Sequence, residues 1–271
     1  MYSRIVVPID GSDFSWRACA VARSIARFVD ASIELVEVVA ASDDMIVAAQ
    51  YIRERLAELD DLGRDQISVT TLELQGTIPA TLAAHVEAIE GALVVMSSVG
   101  RGRSAAVIGS VAEELLRATF GPIVMVGPDT DLDRPLDGPL VVAVDGSDTS
   151  ESVLPLAGAW GIELGATPWI VTVGDPDELV APDLAESSYP ARLARRLSEQ
   201  THRDAEFEVL RDEHPAVALA RFADDLKASF LFAGTHGRTG MARISAGSVA
   251  MGIVHRAPCP VVLVRPPHVQ D

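Results

Sequence analysis

The sequence contains an internal repeat of about half its own length, and no other feature limits the possible folds as strongly. The stretch Ile5–Asp13 (IVVPIDGSD) recurs 135 residues later as Leu140–Asp148 (LVVAVDGSD). The apolar segments Ile123–Val126 and Val261–Val264 recur at a distance of 138 residues. This period is much longer than the roughly 20 to 50 residues of solenoid repeats, so each copy is expected to fold as a complete domain.

The repeat predicts where these two domains begin and end. The first domain is predicted at residues 1–128 and the second at residues 140–271. The segment 129–139 between them is acidic, contains proline and lacks apolar periodicity, which is typical of a linker.

Within each copy, short apolar strands alternate with helical segments. In the first copy, strands are predicted at Ile5–Ile9, Ser32–Val39, Ile67–Leu74, Ala92–Met96 and Ile123–Val126, and helices at Ala18–Val29, Arg53–Leu62, Pro79–Ala88 and Gly109–Ala118. The second copy repeats this order, with one helix predicted over Thr149–Leu164. Such alternation indicates a parallel sheet covered on both faces. The predicted fold class is therefore α/β, with two tandem doubly wound domains, each built on a five-stranded parallel sheet.

Charge and composition exclude several classes of partner. The chain has 39 acidic and 22 basic side chains and a formal charge of −17, so it would repel nucleic acid and anionic lipid. The N-terminal residues show no apolar leader, and no apolar run approaches the ~20 residues that cross a bilayer. Cys19 and Cys259 lie far apart and are interpreted as small core residues. We expect a cytoplasmic protein that binds neither nucleic acid nor membrane.

The segment after the fourth strand of the second copy carries the clearest chemical signal. It has the spacing G-x2-G-x9-G-S, formed by Gly234, Gly237, Gly247 and Ser248. Glycines let a phosphate approach backbone amides, and the start of the following helix supplies N–H donors and the positive end of its dipole. Open α/β sheets bind their ligands at this edge. The spacing predicts phosphate binding; the alternative is that these glycines only cap the strand and the helix.

Three segments together resemble a known family. With Asp145-Gly146-Ser147, the loop Gly234–Ser248 and the tail His255–Val264, the chain resembles the tandem-domain universal stress protein family over essentially its whole length. The resemblance implies an adenine nucleotide α-hydrolase-like fold, dimerisation through the last strand and, in one branch of the family, bound ATP. By position, Asp145 would contact adenosine and Val173 would meet adenine. The other residues implied at this nucleotide site are Ala143, Gly234, Gly237, Arg238, Gly247, Ser248 and Val249.

The first copy matches the same pattern less fully. Its loop begins with Ser97 in place of the first glycine, and eight residues instead of nine separate Gly100 from Gly109. Pro8 stands where the second copy has Ala143, and proline has no N–H to offer a ligand. We still expect two nucleotide sites, the second being the more complete. The first would be formed by Pro8, Asp10, Val38, Ser97, Gly100, Arg101, Gly109, Ser110 and Val111.

Metal and enzyme chemistry find less support in the sequence. His236 and His255 show no short spacing of zinc ligands. Asp10 and Asp145 are candidate Mg²⁺ ligands or bases, but no residue is identifiable that would orient a water for hydrolysis. Arg101 and Arg238 are interpreted as partners for phosphate charge, with Mg²⁺ as a further candidate counter-ion for ATP.

These observations lead to one hypothesis and two alternatives. The leading hypothesis is an ATP-binding regulatory protein of the stress response with little or no turnover. It would form a homodimer, or an intrachain pseudo-dimer, by pairing of the apolar edge strands Ile123–Val126 and Val261–Val264. The alternatives are a slow nucleotide hydrolase and a structural dimerisation protein whose sites stay empty.

Overall fold

The computed structural model describes residues 2–58, 67–100, 109–119, 121–176, 188–235 and 247–265. Contacts between residues divide the chain into two compact units, Met1–Pro128 and Asp129–Asp271. Each unit is an α/β domain with a parallel sheet, which confirms the predicted fold class.

The first unit follows the strand order β3-β2-β1-β4-β5, and the strand pairs are parallel. With right-handed crossovers, this order places α1 and α2 on one face and α3 and α4 on the other. The direction of winding reverses between β1 and β4, so a crevice opens at the carboxyl ends of these two strands. The elements are β1 (Arg4–Pro8), α1 (Asp13–Val29), β2 (Ser32–Val39), α2 (Met45–Glu58), β3 (Ile67–Glu73), α3 (Ile78–Glu87), β4 (Ala92–Ser97), α4 (Ser110–Ala118) and β5 (Ile123–Val126).

The second unit has the equivalent order β10-β9-β6-β7-β8, again with parallel pairs. Its crevice lies between β6 and β9 for the same topological reason. The elements are β6 (Leu140–Ala143), α5 (Asp148–Glu151), α6 (Leu154–Leu164), β7 (Pro168–Gly174), α7 (Tyr189–Thr201), β8 (Glu206–Arg211), α8 (Pro215–Asp225), β9 (Phe230–Gly234), α9 (Ser248–Arg256) and β10 (Val261–Val264).

Two helices differ most from the predicted ones. The helix predicted at Arg53–Leu62 begins at Met45. Its first turns were not predicted because they expose Ile46 and Val47 and so lack the apolar stripe that marks a buried helix. The single helix predicted at Thr149–Leu164 is two helices. Pro155 has no N–H for the carbonyl of Glu151, so α5 ends there and α6 begins.

The segment 129–139, predicted as a linker, packs against the second unit. The guanidinium of Arg134 donates to the carbonyl of Ala223 at 3.2 Å and holds the pKa of the Asp224 carboxyl below its usual value. The Asp131 N–H donates to the carbonyl of Pro258 at 2.9 Å, and Leu136 is buried. These contacts fix the segment to the C-terminal end of α8 and to the turn before β10.

Candidate functional site

A cleft of about 380 Å³ lies at the crevice of the first unit. This volume falls within the range of about 300 to 1,000 Å³ that is typical of small-molecule sites. Arg101, also predicted for this site, lies outside the described residues. The residues predicted for the first nucleotide site that line the cleft are Pro8, Asp10, Val38, Ser97, Gly100, Gly109, Ser110 and Val111.

The second unit has a smaller cleft of about 260 Å³ in the equivalent place. Ser248 is the first residue of α9, directly between two residues that line the cleft. Gly237 and Arg238 lie outside the described residues. The residues predicted for the second nucleotide site that line the cleft are Ala143, Asp145, Val173, Gly234, Gly247 and Val249.

The Asp-Gly-Ser turn at the end of the first strand holds a carboxylate at each cleft. Asp10 Oδ1 accepts hydrogen bonds from the backbone N–H of Ser12 at 2.9 Å and from its hydroxyl at 2.6 Å. In the second unit, Asp145 Oδ1 accepts the same two bonds from Ser147, at 3.0 and 2.6 Å. The glycine between them has a φ of 77° in the first turn and 88° in the second, which few other residues adopt. The turn therefore fixes the direction of the carboxylate.

Two buried serines in these turns were not identified from the sequence. Ser15 and Ser150 line the two clefts and are 4% and 5% exposed. The hydroxyl of Ser150 donates to the carbonyl of Ser147 at 2.9 Å and accepts from the N–H of Asp145 at 3.1 Å. The hydroxyl of Ser15 donates to the carbonyl of Ser12 at 2.8 Å. The signal that could have found them is the repeated pattern D-G-S-D-x-S, present in both copies.

The second strand of each unit extends past its neighbour at the cleft. The Ile9 N–H donates to the carbonyl of Val36 at 2.8 Å, directly after β1 has ended at Pro8. Main-chain groups alternate in direction along a strand. The N–H and carbonyl of Val38 therefore point to the same side as those of Val36, beyond the end of β1. Val144 and Val171 make the corresponding bond at 2.9 Å in the second unit, which gives Val173 the same position. Each cleft thus has one donor and one acceptor on a single rigid strand.

The position of Pro8 and Ala143 matters to the sheet and not to a ligand hydrogen bond. The β6–β9 register extends to the pair Val142 and Phe232. In a parallel ladder, this pairing requires the N–H of the next residue, Ala143, as a hydrogen-bond donor to β9. The β1–β4 register stops one pair earlier, at Val6 and Val94, because Pro8 has no N–H. The sequence suggested that Pro8 removes a main-chain contact to the ligand. The register corrects this, since the equivalent N–H of Ala143 points into the sheet.

The helices that close the two clefts begin without a side-chain cap. Gly109 and Gly247 are the N-cap residues of α4 and α9. Their own N–H groups are already bonded, to the carbonyl of Ser98 at 2.8 Å and to that of Thr235 at 2.7 Å. These two amides are therefore not the donors that the glycine spacing suggested. The N–H groups one and two residues further on, in the first turn of each helix, have no such acceptor within the helix.

These two helix starts differ from six of the others described. Ser12, Thr77 and Ser147 cap α1, α3 and α5 with a side-chain oxygen. Helices α6, α7 and α8 have proline in the first turn, which removes a donor. Helix α2 follows directly on a 3-10 turn, Ser42–Asp44. Helices α4 and α9 have neither a side-chain cap nor a first-turn proline, and both begin at a cleft.

Neither backbone conformation nor packing against the described residues explains glycine at these two caps. The φ angles of Gly109 and Gly247 are −64° and −57°, which any residue adopts. Among the described residues, the nearest neighbour of a Cβ would lie 3.7 Å away at Gly109 and 3.5 Å away at Gly247, both ordinary contacts. Glycine thus keeps a side chain away from the start of each helix.

The loop entry in the first unit is shaped by two residues of its own. The Ser97 hydroxyl donates to the carbonyl of Val99 at 2.8 Å and accepts from its N–H at 3.1 Å, so it closes a tight turn. A Cβ at Gly100 would lie 2.9 Å from Asp10 Oδ2, which is too close. Glycine at position 100 therefore lets the loop pass directly beside the carboxylate.

Both thiols belong to the core and not to a site. Cys19 is 1% exposed and Cys259 is fully buried. Burial raises the pKa of Cys19 to about 11 and that of Cys259 to about 12, so both stay protonated near neutral pH.

The described residues contain neither a cluster of metal ligands nor a helix that could span a membrane. Within those ranges, no three His, Cys, Asp or Glu side chains converge as metal ligands would. None of the described helices combines the length and apolar character that crossing a bilayer requires.

Comparisons with known proteins agree with this architecture. The model of the universal stress protein family matches residues 1–127 and 138–265. Universal stress protein Rv1996 of Mycobacterium tuberculosis (strain ATCC 25618 / H37Rv) is 31% identical over 216 residues, which cover 73% of this chain and 66% of that protein. This chain therefore matches just under two thirds of the length of that relative.

Two solved structures extend the comparison. The crystal structure of a universal stress protein from Archaeoglobus fulgidus DSM 4304 covers 97% of this chain and 98% of its own, with a TM-score of 0.68 and 15% identity, a likeness of fold alone. The universal stress protein from Archaeoglobus fulgidus in complex with dAMP is 25% identical, covers 47% of this chain and 97% of its own, and has a TM-score of 0.39.

Proposed function

Since the chain belongs to the universal stress protein family, we propose that it binds ATP at both clefts as a regulatory protein of the stress response, with little or no turnover. In this proposal the bound nucleotide orders the loops that follow β4 and β9 and thereby biases a partner or a regulatory state. The same chemistry serves other adenine nucleotides; the glycine spacing favours a phosphate ligand, and ATP is the nucleotide that the family resemblance implies.

The observation that carries this proposal is the pair of glycine-started helices. At α4 and α9, first-turn N–H groups face a cleft, and no side-chain oxygen caps them. An anion placed there would accept those donors and would be stabilised by the helix dipole. A phosphate fits the space that a side chain at Gly109 or Gly247 would fill.

The remaining groups of each cleft suit adenosine. The N–H and carbonyl of Val38 or Val173 match the N1 acceptor and the amino group along one edge of adenine. The carboxylate of Asp10 or Asp145 is an acceptor for ribose hydroxyls, held in place by the adjacent serine. Apolar residues such as Val36, or Val171 in the second unit, line the cleft and would pack against the base.

Charge is the main obstacle to ATP on this chain. A net charge of −17 opposes the approach of a triphosphate, so the site needs local positive charge. The helix dipoles of α4 and α9 supply part of it, and the loop residues Arg101 and Arg238 are proposed to supply more. Mg²⁺ bound together with the phosphates would neutralise the rest, since phosphate oxygens are among its preferred ligands.

Replacing each cap glycine by aspartate gives a direct test. In Gly109→Asp and Gly247→Asp, the new carboxylate would cap the helix as aspartate commonly does, so stability should hold or rise by up to about 1 kcal/mol. The same carboxylate would repel a phosphate and occupy its donors. We expect ATP affinity at the altered cleft to fall at least 100-fold, and calorimetric stoichiometry to fall from two sites to one.

The matched control is Gly121→Asp. This glycine is exposed, has open space around its Cα and precedes β5, at the opposite end of the sheet from the cleft. It introduces the same charge and should leave both sites intact. Unchanged ATP binding in both cap variants would refute the proposal, and so would failure of the unaltered chain to bind any adenine nucleotide.

Turnover and assembly are tested separately. Release of phosphate from ATP at more than a few turnovers per hour would favour the slow hydrolase over the regulatory role. Dimerisation through β5 and β10 stays a prediction, and sedimentation of the full chain with and without ATP measures it.

A further inference from the structure

In the second unit, a row of polar side chains supports the Asp-Gly-Ser turn from behind. The Tyr189 hydroxyl, in the first turn of α7, donates to Glu151 Oε1 at 2.9 Å. The guanidinium of Arg196, two turns further along α7, donates to Glu151 Oε2 at 2.9 Å. Glu151 is the last residue of α5, the short helix that starts directly after the turn.

The phenol of Tyr189 also lies near the turn itself, close to the backbone of Gly146, the residue between Asp145 and Ser147, and to Ser150. Burial, followed by the bond to Glu151, raises the pKa of Tyr189 well above its usual value. The phenol therefore remains protonated and donates to Glu151 throughout the neutral range. Glu151 belongs to α5, whose N-cap Ser147 donates its hydroxyl to the Asp145 carboxylate, so the bond connects α7 to the turn.

The first unit has no counterpart of this arrangement at the same position. Trp16 occupies the place of Glu151 in the repeat, six residues after the aspartate of the turn. Its indole N–H is buried and makes no hydrogen bond. The first turn is thus held by its own serines, and the second turn by its serines together with a helix from elsewhere in the unit.

We propose that Tyr189 is a positioning residue for the Asp145 carboxylate, acting through its hydrogen bond to Glu151 and the short helix α5, and that only the second site depends on such a residue. Holding α5 in place also holds its N-cap Ser147, so the direction of the Asp145 carboxylate is set before a ligand arrives. The inference rests on the proposed nucleotide site and adds a residue to it that does not touch the ligand.

The test uses Tyr189→Phe in the full chain carrying Gly109→Asp, so that only the second site is read. Phenylalanine keeps the ring and removes one hydrogen-bonding oxygen, which is expected to weaken ATP binding about fivefold. AMP should weaken by the same factor, because Asp145 contacts its adenosine part and the Gly109→Asp carboxylate repels its phosphate at the first site. Loss of one part-buried hydrogen bond should lower the unfolding free energy of the ligand-free protein by no more than about 1 kcal/mol, which is about a fivefold change in the folding equilibrium, so the second unit stays folded.

A double-mutant cycle separates positioning from a general structural effect. In an Asp145→Ala background, Tyr189→Phe should change AMP affinity less than twofold, since the carboxylate it positions is gone. Equal losses with and without Asp145 would overturn the inference. Glu151→Gln keeps an acceptor for the phenol and should retain affinity within about twofold, and a loss as large as that of Tyr189→Phe would also count against it.

Tyr51→Phe is the matched control in the first unit. Tyr51 lies on α2, the helix that corresponds to α7, and is 43% exposed. Its change should leave both sites unaltered. If the parent chain binds nucleotide and Tyr189→Phe binds it equally well, the inference fails while the proposed function stands; if the parent binds no adenine nucleotide, both fail.

Discussion

The two units build the same sheet around cores of different chemistry. In the second unit, the Trp160 ring packs edge to face against Phe230 and Phe232, with centroids 5.0 and 5.4 Å apart. In the first unit, the corresponding positions are Ile25, Leu93 and Val95, all of them buried. Aliphatic and aromatic cores thus support one topology, because the strand order and the helix positions need only apolar side chains of adequate total volume. At the clefts, both units keep the aspartate after the first strand and the valine near the end of the second, whereas Pro8 and Ser97 stand where the second unit has Ala143 and Gly234.

The second difference lies on the opposite face of each sheet. In the first unit, the buried carboxylate of Glu34 lies 3.2 Å from Nε2 of His85 and accepts from the Thr70 hydroxyl. In the second unit, the same two places hold Trp169 and Phe222, whose rings pack edge to face at 5.8 Å. A polar contact between histidine and a carboxylate, joining β2 and α3, is therefore replaced by an aromatic pair between β7 and α8.

Removal of the largest ring should have the largest effect. Trp160→Ala is expected to lower the free energy of unfolding of the second unit by about 4 kcal/mol, since it leaves a cavity beside two phenylalanines. Ile25→Ala should lower that of the first unit by about 3 kcal/mol. Hydrogen exchange of the β9 and β4 amides reads the two units separately. A loss below about 2 kcal/mol for Trp160→Ala would show that the aromatic cluster does not anchor the second core.

Breaking the buried contact between His85 and Glu34 should have an intermediate effect on the stability of the first unit. His85→Ala is expected to lower the free energy of unfolding of the first unit by about 2 kcal/mol, because it leaves the Glu34 carboxylate buried with Arg4 as its remaining ionic neighbour, at 3.5 Å. Replacing both residues by leucine should recover most of that loss, since no buried charge is then left. Denaturant unfolding measures both variants. A double variant as unstable as His85→Ala would mean that the pair itself is strongly stabilising.

The sequence was sufficient for features that depend on local pattern. Apolar runs that alternate with helices, repeated twice, indicated the parallel sheets, and the bounds of β2 and β5 were predicted to the residue. Residues at strand ends, such as Asp10 and Val173, were identified through the family resemblance, and the topology explains why they share one edge of each sheet. The structure adds that these residues line clefts.

The features that escaped prediction depend on contacts between distant residues. Tyr189 meets Glu151 across 38 residues, and His85 meets Glu34 across 51. Neither partner lies in a local motif, and a carboxylate in a strand is normally exposed. For the cap glycines, the sequence indicated an anion site at the start of each helix but not that the glycine N–H groups are already bonded. Which N–H group is bonded to which carbonyl depends on how the loop returns to the sheet.

The smallest predicted effect concerns Pro8, a position where the two sheets differ in hydrogen bonding. Pro8→Ala supplies the N–H that the first unit lacks, and the register of the second unit places that donor against the carbonyl of Val95. Satisfying a buried carbonyl contributes about 1 kcal/mol, and losing the restriction that proline places on the unfolded chain costs up to about 1 kcal/mol. The unfolding free energy should therefore change by less than about 1 kcal/mol.

Amide exchange is the sharper measurement for this variant. The new N–H of residue 8 should be as strongly protected as that of Ala143, since both would lie between two paired strands. Rapid exchange at residue 8 would mean that the β1–β4 ladder stops for a reason other than proline. ATP affinity of the first site should not change, because this N–H points into the sheet; a tighter site in Pro8→Ala would show that the missing donor serves the ligand after all.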